Sequence, residues 1–352
     1  MIRGLLAAVV LLGGCVAARG APRPLDAPPV SEAVILPAGV EDGRARFRET
    51  YCAIRARTAT VEETGPFCEA ELLRLAGEPR PTGRPVEVGR PGVRLRVLVV
   101  AGLYGDCLPA APFADALPRL DALGHDTGRI AVGGFSRVSS NAARIRDALA
   151  ALELPPGQPV VVVAYSKGVV DLLEALVAFP DVRGRVKAVV SVAGPVAGTP
   201  LADRLDSSPL LAPLVRLTAL SCRNREDGTL ADLGRSARLD WLSRHRLPGS
   251  VRYYSLAGVG GRDRVSRILR PSYDMLARFD PRNDGAVIYS DAIIPGSKLL
   301  GFVGADHWAI ALPLSRELPK GRYLGVDRNE FPRDALLEAI VRTIEEDLLS
   351  ER

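Results

Sequence analysis

Histidine, aromatic residues and clustered positive charge are all scarce in this chain. Three histidines occur among 352 residues, aromatic residues make up 5%, and no two cysteines form a C-x-x-C pair. These absences argue against a metal centre built on histidine or cysteine. The net charge of +5 is spread over the whole chain, without a run of Lys and Arg or a basic stripe interleaved with aromatics. Nucleic-acid binding therefore has little support.

Long apolar runs are also missing after the amino terminus. Residues 4–12 form a short apolar stretch behind Arg3, and no later segment reaches 18 apolar residues. A basic start followed by a short apolar run and small residues is typical of a secretory signal. We therefore predict a signal peptide over residues 1–14 and no membrane-spanning helix in the mature chain.

The end of this signal has the pattern of a lipid attachment site. The sequence Leu12-Gly13-Gly14-Cys15 resembles the bacterial lipobox, in which the cysteine becomes the first mature residue and carries lipid. The next residue is Val16 rather than Asp, which by the same resemblance favours the outer over the inner membrane. The prediction is an envelope protein held at the membrane by its lipid alone. The alternative is an ordinary signal peptide with an incidental cysteine.

The four cysteines other than Cys15 are an even number in a chain predicted to be exported, which points to disulfides. They allow three pairings. The most economical joins Cys52 to Cys68 within the amino-terminal region and Cys107 to Cys222 between two loops. The alternative is four buried free thiols.

The chain divides into three parts after the signal. Residues 15–42 are rich in Pro, Ala and Gly and predict a tether, and residues 43–93 predict a helical extension followed by a Pro- and Gly-rich linker. In that extension, one helix face is formed by Phe47, Tyr51 and Ile54. A second short helix is predicted from Ala70, Leu72, Leu73 and Leu75.

From residue 94 to residue 352 apolar strands alternate with helices. Strands are predicted at 93–100, 129–132, 160–163, 186–192, 251–256 and 299–303. Helices are predicted after a cap at Ser139 or Ser140, at 167–177 and at 333–349. This alternation predicts an α/β fold with a mainly parallel central sheet and helices on both faces, which binds ligands outside the carboxyl ends of its strands. The insertion at about 201–248 is either a cap over the site or a surface excursion.

The segment Ala164-Tyr165-Ser166-Lys167-Gly168 directly follows a buried strand and directly precedes a helix. This is the context of a nucleophile elbow, where small residues on either side of serine permit a tight turn. We predict Ser166 as a nucleophile. The alternative is a serine that caps the following helix.

A serine nucleophile requires a base. After a nucleophile elbow of this kind the chain order is serine, then the acid, then the histidine. His307 lies just after the last predicted strand and is the predicted base. His245 stands among basic residues in the polar insertion and is predicted to be solvated, while His125 precedes the nucleophile.

The acid must orient the imidazole and stabilise its charged form. The best candidate is Asp284, which lies 23 residues before the predicted base and is followed by Gly285, which permits a sharp turn. Asp280 and Asp291 are rivals. Asp306 is adjacent to the histidine, so its carboxylate is poorly placed to reach that ring.

An oxyanion hole requires two preorganised N–H donors. One is predicted to be the backbone N–H of Lys167, directly after the nucleophile. The other is predicted in the glycine-containing loop after the first strand, with Leu103 favoured and Tyr104 second. The alternative is that these glycines make a plain turn at a strand end.

Together these motifs make residues 94–350 similar to an α/β-hydrolase of the bacterial lipase and esterase type. The resemblance depends on four segments: residues 164–168, 283–285, 305–308 and the Gly-Thr-Pro segment at 198–203. The sequence departs from it at Ala101, where many relatives have His, and in the extension at 43–77. Some relatives hold a structural calcium, for which no ligands can be assigned here.

The resemblance implies a serine ester hydrolase that acts through an acyl-enzyme, without a cofactor, on esters with an apolar acyl group. Acyl transfer or depolymerisation of a polyester would use the same acyl-enzyme and differ in the acceptor or substrate. A third reading is a non-catalytic α/β-hydrolase scaffold that serves as a binding lipoprotein. A complete Ser, Asp and His in the expected order argues against it.

Overall fold

The computed structural model describes residues 39–58, 67–317 and 325–350. The predicted signal peptide, Cys15 and most of the predicted tether lie outside the described residues. No helix among the described residues is long and apolar enough to cross a membrane.

In the described part of the chain, eight strands form one sheet. They are β1 (Glu41–Asp42), β2 (Leu72–Leu73), β3 (Arg96–Val100), β4 (Asp126–Ile130), β5 (Val160–Tyr165), β6 (Ala188–Val192), β7 (Arg252–Gly258) and β8 (Lys298–Val303). The order across the sheet is β1-β8-β7-β6-β5-β3-β4, and all these neighbours run parallel. Strand β2 pairs antiparallel with β8. The predicted mainly parallel sheet is confirmed.

Among the described residues, twelve α-helices surround or extend this sheet. They are α1 (Arg44–Thr58), α2 (Phe67–Glu71), α3 (Leu117–Leu123), α4 (Val138–Ala150), α5 (Lys167–Ala178), α6 (Pro200–Ser207), α7 (Leu211–Thr218), α8 (Arg235–Arg244), α9 (Arg270–Leu276), α10 (His307–Ala311), α11 (Leu314–Glu317) and α12 (Arg333–Leu349). Short 3₁₀ turns lie at Pro180–Arg185, Ala219–Ser221, Ala231–Leu233, Arg267–Leu269 and Tyr289–Ala292.

The central strand β5 is buried on both faces, which explains its continuous apolar sequence. Because successive side chains of a strand point to opposite faces, Val161 and Val163 pack on one side and Val160 and Val162 on the other. The first side is covered by helices α1, α3 and α12. The second is covered by helices α4 and α5. Helices therefore cover both faces, as predicted.

The amino-terminal region differs from the prediction at two points. The segment Glu41–Asp42, predicted as tether, pairs with the start of β8, and the predicted second helix ends at Glu71. Leu72–Leu73 is instead a strand that pairs with the end of β8, and the side chain of Leu72 is buried. The reason is tertiary: β8 offers an unpaired edge, and pairing with it satisfies the backbone and buries an apolar side chain.

Helix α4 also begins differently from the prediction. Arg137 occupies the cap position without a side-chain cap, and neither Ser139 nor Ser140 caps the helix. The N–H of Val138 donates to the Asp232 carboxylate at 3.0 Å. An acidic residue from the insertion thus replaces the expected hydroxyl at this positive helix end.

Two disulfides join the predicted cysteine pairs. Cys52 is bonded to Cys68, which ties α1 to α2. Cys107 is bonded to Cys222, which ties the loop after β3 to the end of the segment that contains α6 and α7. The alternative of free thiols is therefore wrong for this structure.

Candidate active site

Ser166 stands at the sharp turn between β5 and α5. Its φ of 54° and ψ of −130° are strained for a residue with a side chain, and its hydroxyl makes no capping hydrogen bond. Strain at this position points the side chain out of the turn instead of along the helix. A Cβ added at Gly168 would lie 2.5 Å from the carbonyl oxygen of Ala101, so this position requires glycine. The helix-cap interpretation of Ser166 is not supported.

The three predicted side chains form one continuous hydrogen-bonded chain. His307 Nε2 lies 2.8 Å from Ser166 Oγ, and His307 Nδ1 lies 2.8 Å from Asp284 Oδ2. All three residues are largely buried. A carboxylate on one ring nitrogen fixes the tautomer whose other nitrogen accepts the serine proton.

The carboxylate of Asp284 is held by its own turn. Its Oδ1 accepts the N–H groups of Ala286 at 2.9 Å and Val287 at 2.8 Å, which leaves Oδ2 for the imidazole. Its carbonyl oxygen also accepts the N–H of His307 at 2.8 Å. At the end of β7, a Cβ on Gly258 would lie 2.7 Å from the Asp284 Cβ. The turn therefore fixes both the carboxylate and the start of helix α10.

The rival acids are occupied elsewhere. Asp280 pairs with Arg282, and Asp291 pairs with Arg235 at 3.0 Å. Asp306 caps helix α10 through the N–H of Ala309, and burial raises the pKa of its carboxyl. None of these three carboxylates has a hydrogen bond to the imidazole of His307 among the described residues.

The other two histidines also lie apart from the serine. His245 is exposed and stacks on Trp241, with a ring-centroid distance of 4.8 Å. His125 is buried and its Nδ1 accepts the N–H of Leu95 at 3.3 Å. Burial lowers the pKa of this imidazole to about 4. His125 therefore acts as a neutral acceptor within the core.

Tyr165, which directly precedes the serine, is a further residue of the site that was not predicted. Its hydroxyl donates to the carbonyl oxygen of His307 at 2.8 Å, and the two rings lie 5.2 Å apart. Burial raises the pKa of this phenol well above its usual value. The tyrosine thus stays a neutral donor and supports the loop that carries the imidazole. The only available signal was its place in the elbow motif.

Two backbone N–H groups near Ser166 are free to bind an oxyanion. Those of Leu103 and Lys167 make no hydrogen bond within the part of the chain that the structure describes. The N–H of Tyr104, the second prediction, donates to the carbonyl oxygen of Gly134 at 3.3 Å. The N–H of Tyr104 is thus already bonded in this structure, and Leu103 stays the favoured donor of the two.

An apolar cavity of about 200 Å³ opens beside Ser166. The insertion contributes Leu205, Leu214 and Val215 to its walls, and the opposite wall includes Leu269 and Val287. The insertion therefore lines the cavity beside Ser166, which favours the cap interpretation over the surface excursion.

One group of three residues has the donor atoms for a metal ion among the described residues. It consists of Asp106, Cys107 and Cys222. The two sulfur atoms are bonded to each other, so neither is a thiolate ligand. In its disulfide-bonded form this group therefore lacks the sulfur ligands of a metal site.

The fold and this site define a class, the ester hydrolases of the α/β-hydrolase fold. No protein-family model matches the sequence, and no curated protein matches it. Solved structures do. The crystal structure of the metagenomic carboxyl esterase MGS0156 is 40% identical, covers 97% of this chain and 99% of its own, and has a TM-score of 0.79.

A more distant likeness concerns the fold alone. The mature form of the lipase BlEst2 from Bacillus licheniformis is 22% identical, with a TM-score of 0.51 over 70% of this chain and 91% of that one. The identity and coverage of the metagenomic enzyme decide the family. The chain belongs to the carboxyl esterases of the α/β-hydrolase fold.

Proposed function

We propose that the protein hydrolyses carboxylic esters through an acyl-enzyme on Ser166. His307 takes the proton of the attacking hydroxyl, and Asp284 orients the imidazole and stabilises its charged form. The observation that carries the proposal is the continuous chain of 2.8 Å hydrogen bonds through these three side chains.

The reaction has two halves. The Ser166 oxygen adds to the ester carbonyl while its proton moves to His307 Nε2, and the imidazolium then protonates the leaving alcohol. Water next attacks the acyl-enzyme and gives its proton to the same nitrogen, which returns it to the serine as the acid leaves. In both halves the carbonyl oxygen becomes an oxyanion, which the N–H groups of Leu103 and Lys167 stabilise.

The substrate that this site fits has an apolar acyl group. The cavity beside the nucleophile is walled mainly by apolar side chains, most often leucine, from both the insertion and the rest of the fold. Such walls gain free energy from burying hydrocarbon and offer few partners to a charged group.

The catalytic triad is tested by single and double substitutions. Ser166→Ala and His307→Ala should each lower kcat on a short-chain aryl ester by several orders of magnitude, without loss of folding. Because the residues act as a unit, the double variant should lose little more than either single one. His245→Ala is the matched control and should keep full activity. Mild, additive losses would refute the proposal.

The acceptor is tested by product analysis. Acyl transfer would use the same acyl-enzyme, so it is separated from hydrolysis by adding a primary alcohol and measuring free acid against new ester. Polyester depolymerisation is hydrolysis of a different substrate, so it is tested by the release of acid from a polyester. We expect free acid as the main product. New ester as the main product would contradict hydrolysis while leaving the acyl-enzyme intact.

We also propose that the chain is exported and lipidated at Cys15, which places it in the bacterial envelope, at the outer membrane. The lipobox-like end of the signal supports this, and so do two disulfides, which form in oxidising compartments. Cys15→Ser should leave the precursor unprocessed by lipoprotein signal peptidase, as seen by mass. A mature protein that begins at another residue and carries no lipid would contradict this.

A further inference from the structure

The side chain of Lys167 has no part in the mechanism above, which uses only its backbone N–H. It is nevertheless buried beside the nucleophile, with 1% exposure. Its Nζ lies 2.7 and 2.8 Å from the two carboxylate oxygens of Asp171, which is equally buried. A buried ion pair is costly to desolvate and is weak evidence for stability. Its placement directly after Ser166 therefore calls for another role.

The ion pair continues into a buried amide. Asn141 donates from Nδ2 to Asp171 Oδ2 at 2.8 Å. The same amide grips the backbone of Gly133, donating to its carbonyl oxygen and accepting its N–H, both at 2.9 Å. Asn141 is fully buried, so these bonds have no competition from solvent. Helix α5 is thereby linked through α4 to the loop after β4.

That loop in turn holds the segment that carries the second oxyanion donor. The carbonyl oxygen of Gly134 accepts the N–H of Tyr104 at 3.3 Å, and its N–H donates to Asp106 Oδ1 at 2.8 Å. A Cβ at Gly134 would lie 2.6 Å from the Gly105 nitrogen, so the two loops are in direct contact. Leu103 directly precedes Tyr104 in the chain, so the bond from Tyr104 to Gly134 holds the backbone next to Leu103.

We propose that Lys167, Asp171 and Asn141 form a positioning network that fixes the two oxyanion donors relative to each other. At one end of the network is the side chain of Lys167, whose backbone N–H is the first donor. At the other end is the loop of Gly133 and Gly134. This loop is bonded to Tyr104, the neighbour of Leu103, which supplies the second donor. The inference rests on the proposed acyl-enzyme mechanism and deepens it.

The physical reason is the precision that an oxyanion hole needs. Its donors must lie about 3 Å from the oxygen of the tetrahedral intermediate, and they come here from two different loops. A misplacement of about 1 Å costs on the order of 100-fold in rate. Buried, charge-assisted hydrogen bonds hold such a distance better than apolar contacts, because they are directional.

The test removes the ion pair without leaving a buried charge. The double variant Lys167→Met with Asp171→Leu replaces it by apolar side chains, a change that is often neutral for stability. We expect kcat on a short-chain aryl ester to fall roughly 10- to 100-fold with little change in KM. The inhibition constant of a trifluoromethyl ketone, which mimics the tetrahedral intermediate, should rise by the same factor.

A matched control separates this role from general loss of a buried ion pair. Arg48→Met with Glu78→Leu removes a buried pair in the amino-terminal extension, and should keep kcat within twofold whatever its Tm. Should the Lys167 and Asp171 variant not fold, Asn141→Ser cuts the link from Asp171 to Gly133 while keeping the ion pair. The same kinetic result is expected from it.

The outcomes are distinct. Unchanged kcat and unchanged ketone affinity in a folded variant would overturn the positioning role, even if Tm falls. Loss of kcat without loss of ketone affinity would also overturn it, because the oxyanion hole would then be intact. Failure of the wild-type enzyme to react with a fluorophosphonate at Ser166 would instead refute the proposed function itself.

Discussion

The loop that follows β3 packs tightly against the proposed nucleophile at Gly102. A Cβ added there would lie 2.6 Å from the Cβ of Ser166, 2.9 Å from the carbonyl oxygen of Tyr165 and 3.1 Å from Ser166 Oγ. All three neighbours belong to the elbow, whose backbone is held to β6 by the Ser166 N–H, which donates to the carbonyl oxygen of Val192 at 3.0 Å. Of the three, only the Ser166 hydroxyl can rotate away. Gly102→Ala therefore forces the loop and the nucleophile apart.

The size of the effect follows from these distances. Carbon atoms in contact lie about 3.5 Å apart, so relief of the shortest contact needs a shift of about 1 Å. A shift of that size in the nucleophile or in the N–H of Leu103 should cost on the order of 100-fold in rate. Overpacking of this kind should also destabilise the fold by about 1–3 kcal/mol.

The assay is steady-state hydrolysis of a short-chain aryl ester, with Tm measured on the same samples. Gly249→Ala is the matched control, because a Cβ there meets nothing within 4 Å, and it should leave both kcat and Tm unchanged. A folded Gly102→Ala enzyme with kcat within twofold of the wild type would refute the placement of this loop against the nucleophile.

Three further perturbations test other parts of the account. Asp284→Asn should lower kcat by roughly 10³- to 10⁴-fold in steady-state kinetics, because an amide holds the wrong imidazole tautomer. Replacing Cys107 and Cys222 by serine opens a loop of 115 residues, so urea unfolding should show a loss of up to about 5 kcal/mol. A loss below about 1 kcal/mol would contradict the bond. Burial raises the pKa of Asp291 to about 6, so its contribution to stability falls as pH rises from about 4 to 6. Between about pH 4 and pH 6 the free energy of unfolding of Asp291→Asn should therefore rise by about 3 kcal/mol relative to that of the wild type. A difference in unfolding free energy that does not change with pH would count against the raised pKa.

The three hydrogen-bonded side chains of the candidate site could be picked out because each lies in a local pattern of the sequence. Ser166 lies between a continuously apolar strand and a helix. The change from the strand pattern to the helix pattern marks the turn on which the serine stands. His307 and Asp284 were then limited by chain order and by the small number of histidines. The distances that join them were not available from the pattern, since they depend on how β7 and β8 pair.

The features that escaped prediction depend on partners far away in the chain. Leu72–Leu73 reads as helix locally, and becomes a strand because the edge of β8 is open to it. The N-terminus of α4 is satisfied by Asp232, which lies 94 residues from Val138. Such contacts override local propensity because they satisfy buried backbone groups.

The positioning network lies between these two cases. Lys167 and Asp171 are four residues apart on a helix, a spacing that places both on one face and was visible in the sequence. The burial of both side chains could not be predicted, because a charged pair at this spacing is typical of a solvated helix surface. Only the packing of α4 against α5 brings Asn141 to the carboxylate.

Covalent labelling shows directly whether Ser166 is the nucleophile. The wild-type enzyme is treated with a fluorophosphonate, and the adduct is counted by intact mass and located by peptide mapping. We predict one phosphonyl group per chain, on Ser166, and no adduct in Ser166→Ala. An unlabelled wild-type enzyme, or a group on any other residue, would contradict the assignment of Ser166 as the catalytic nucleophile.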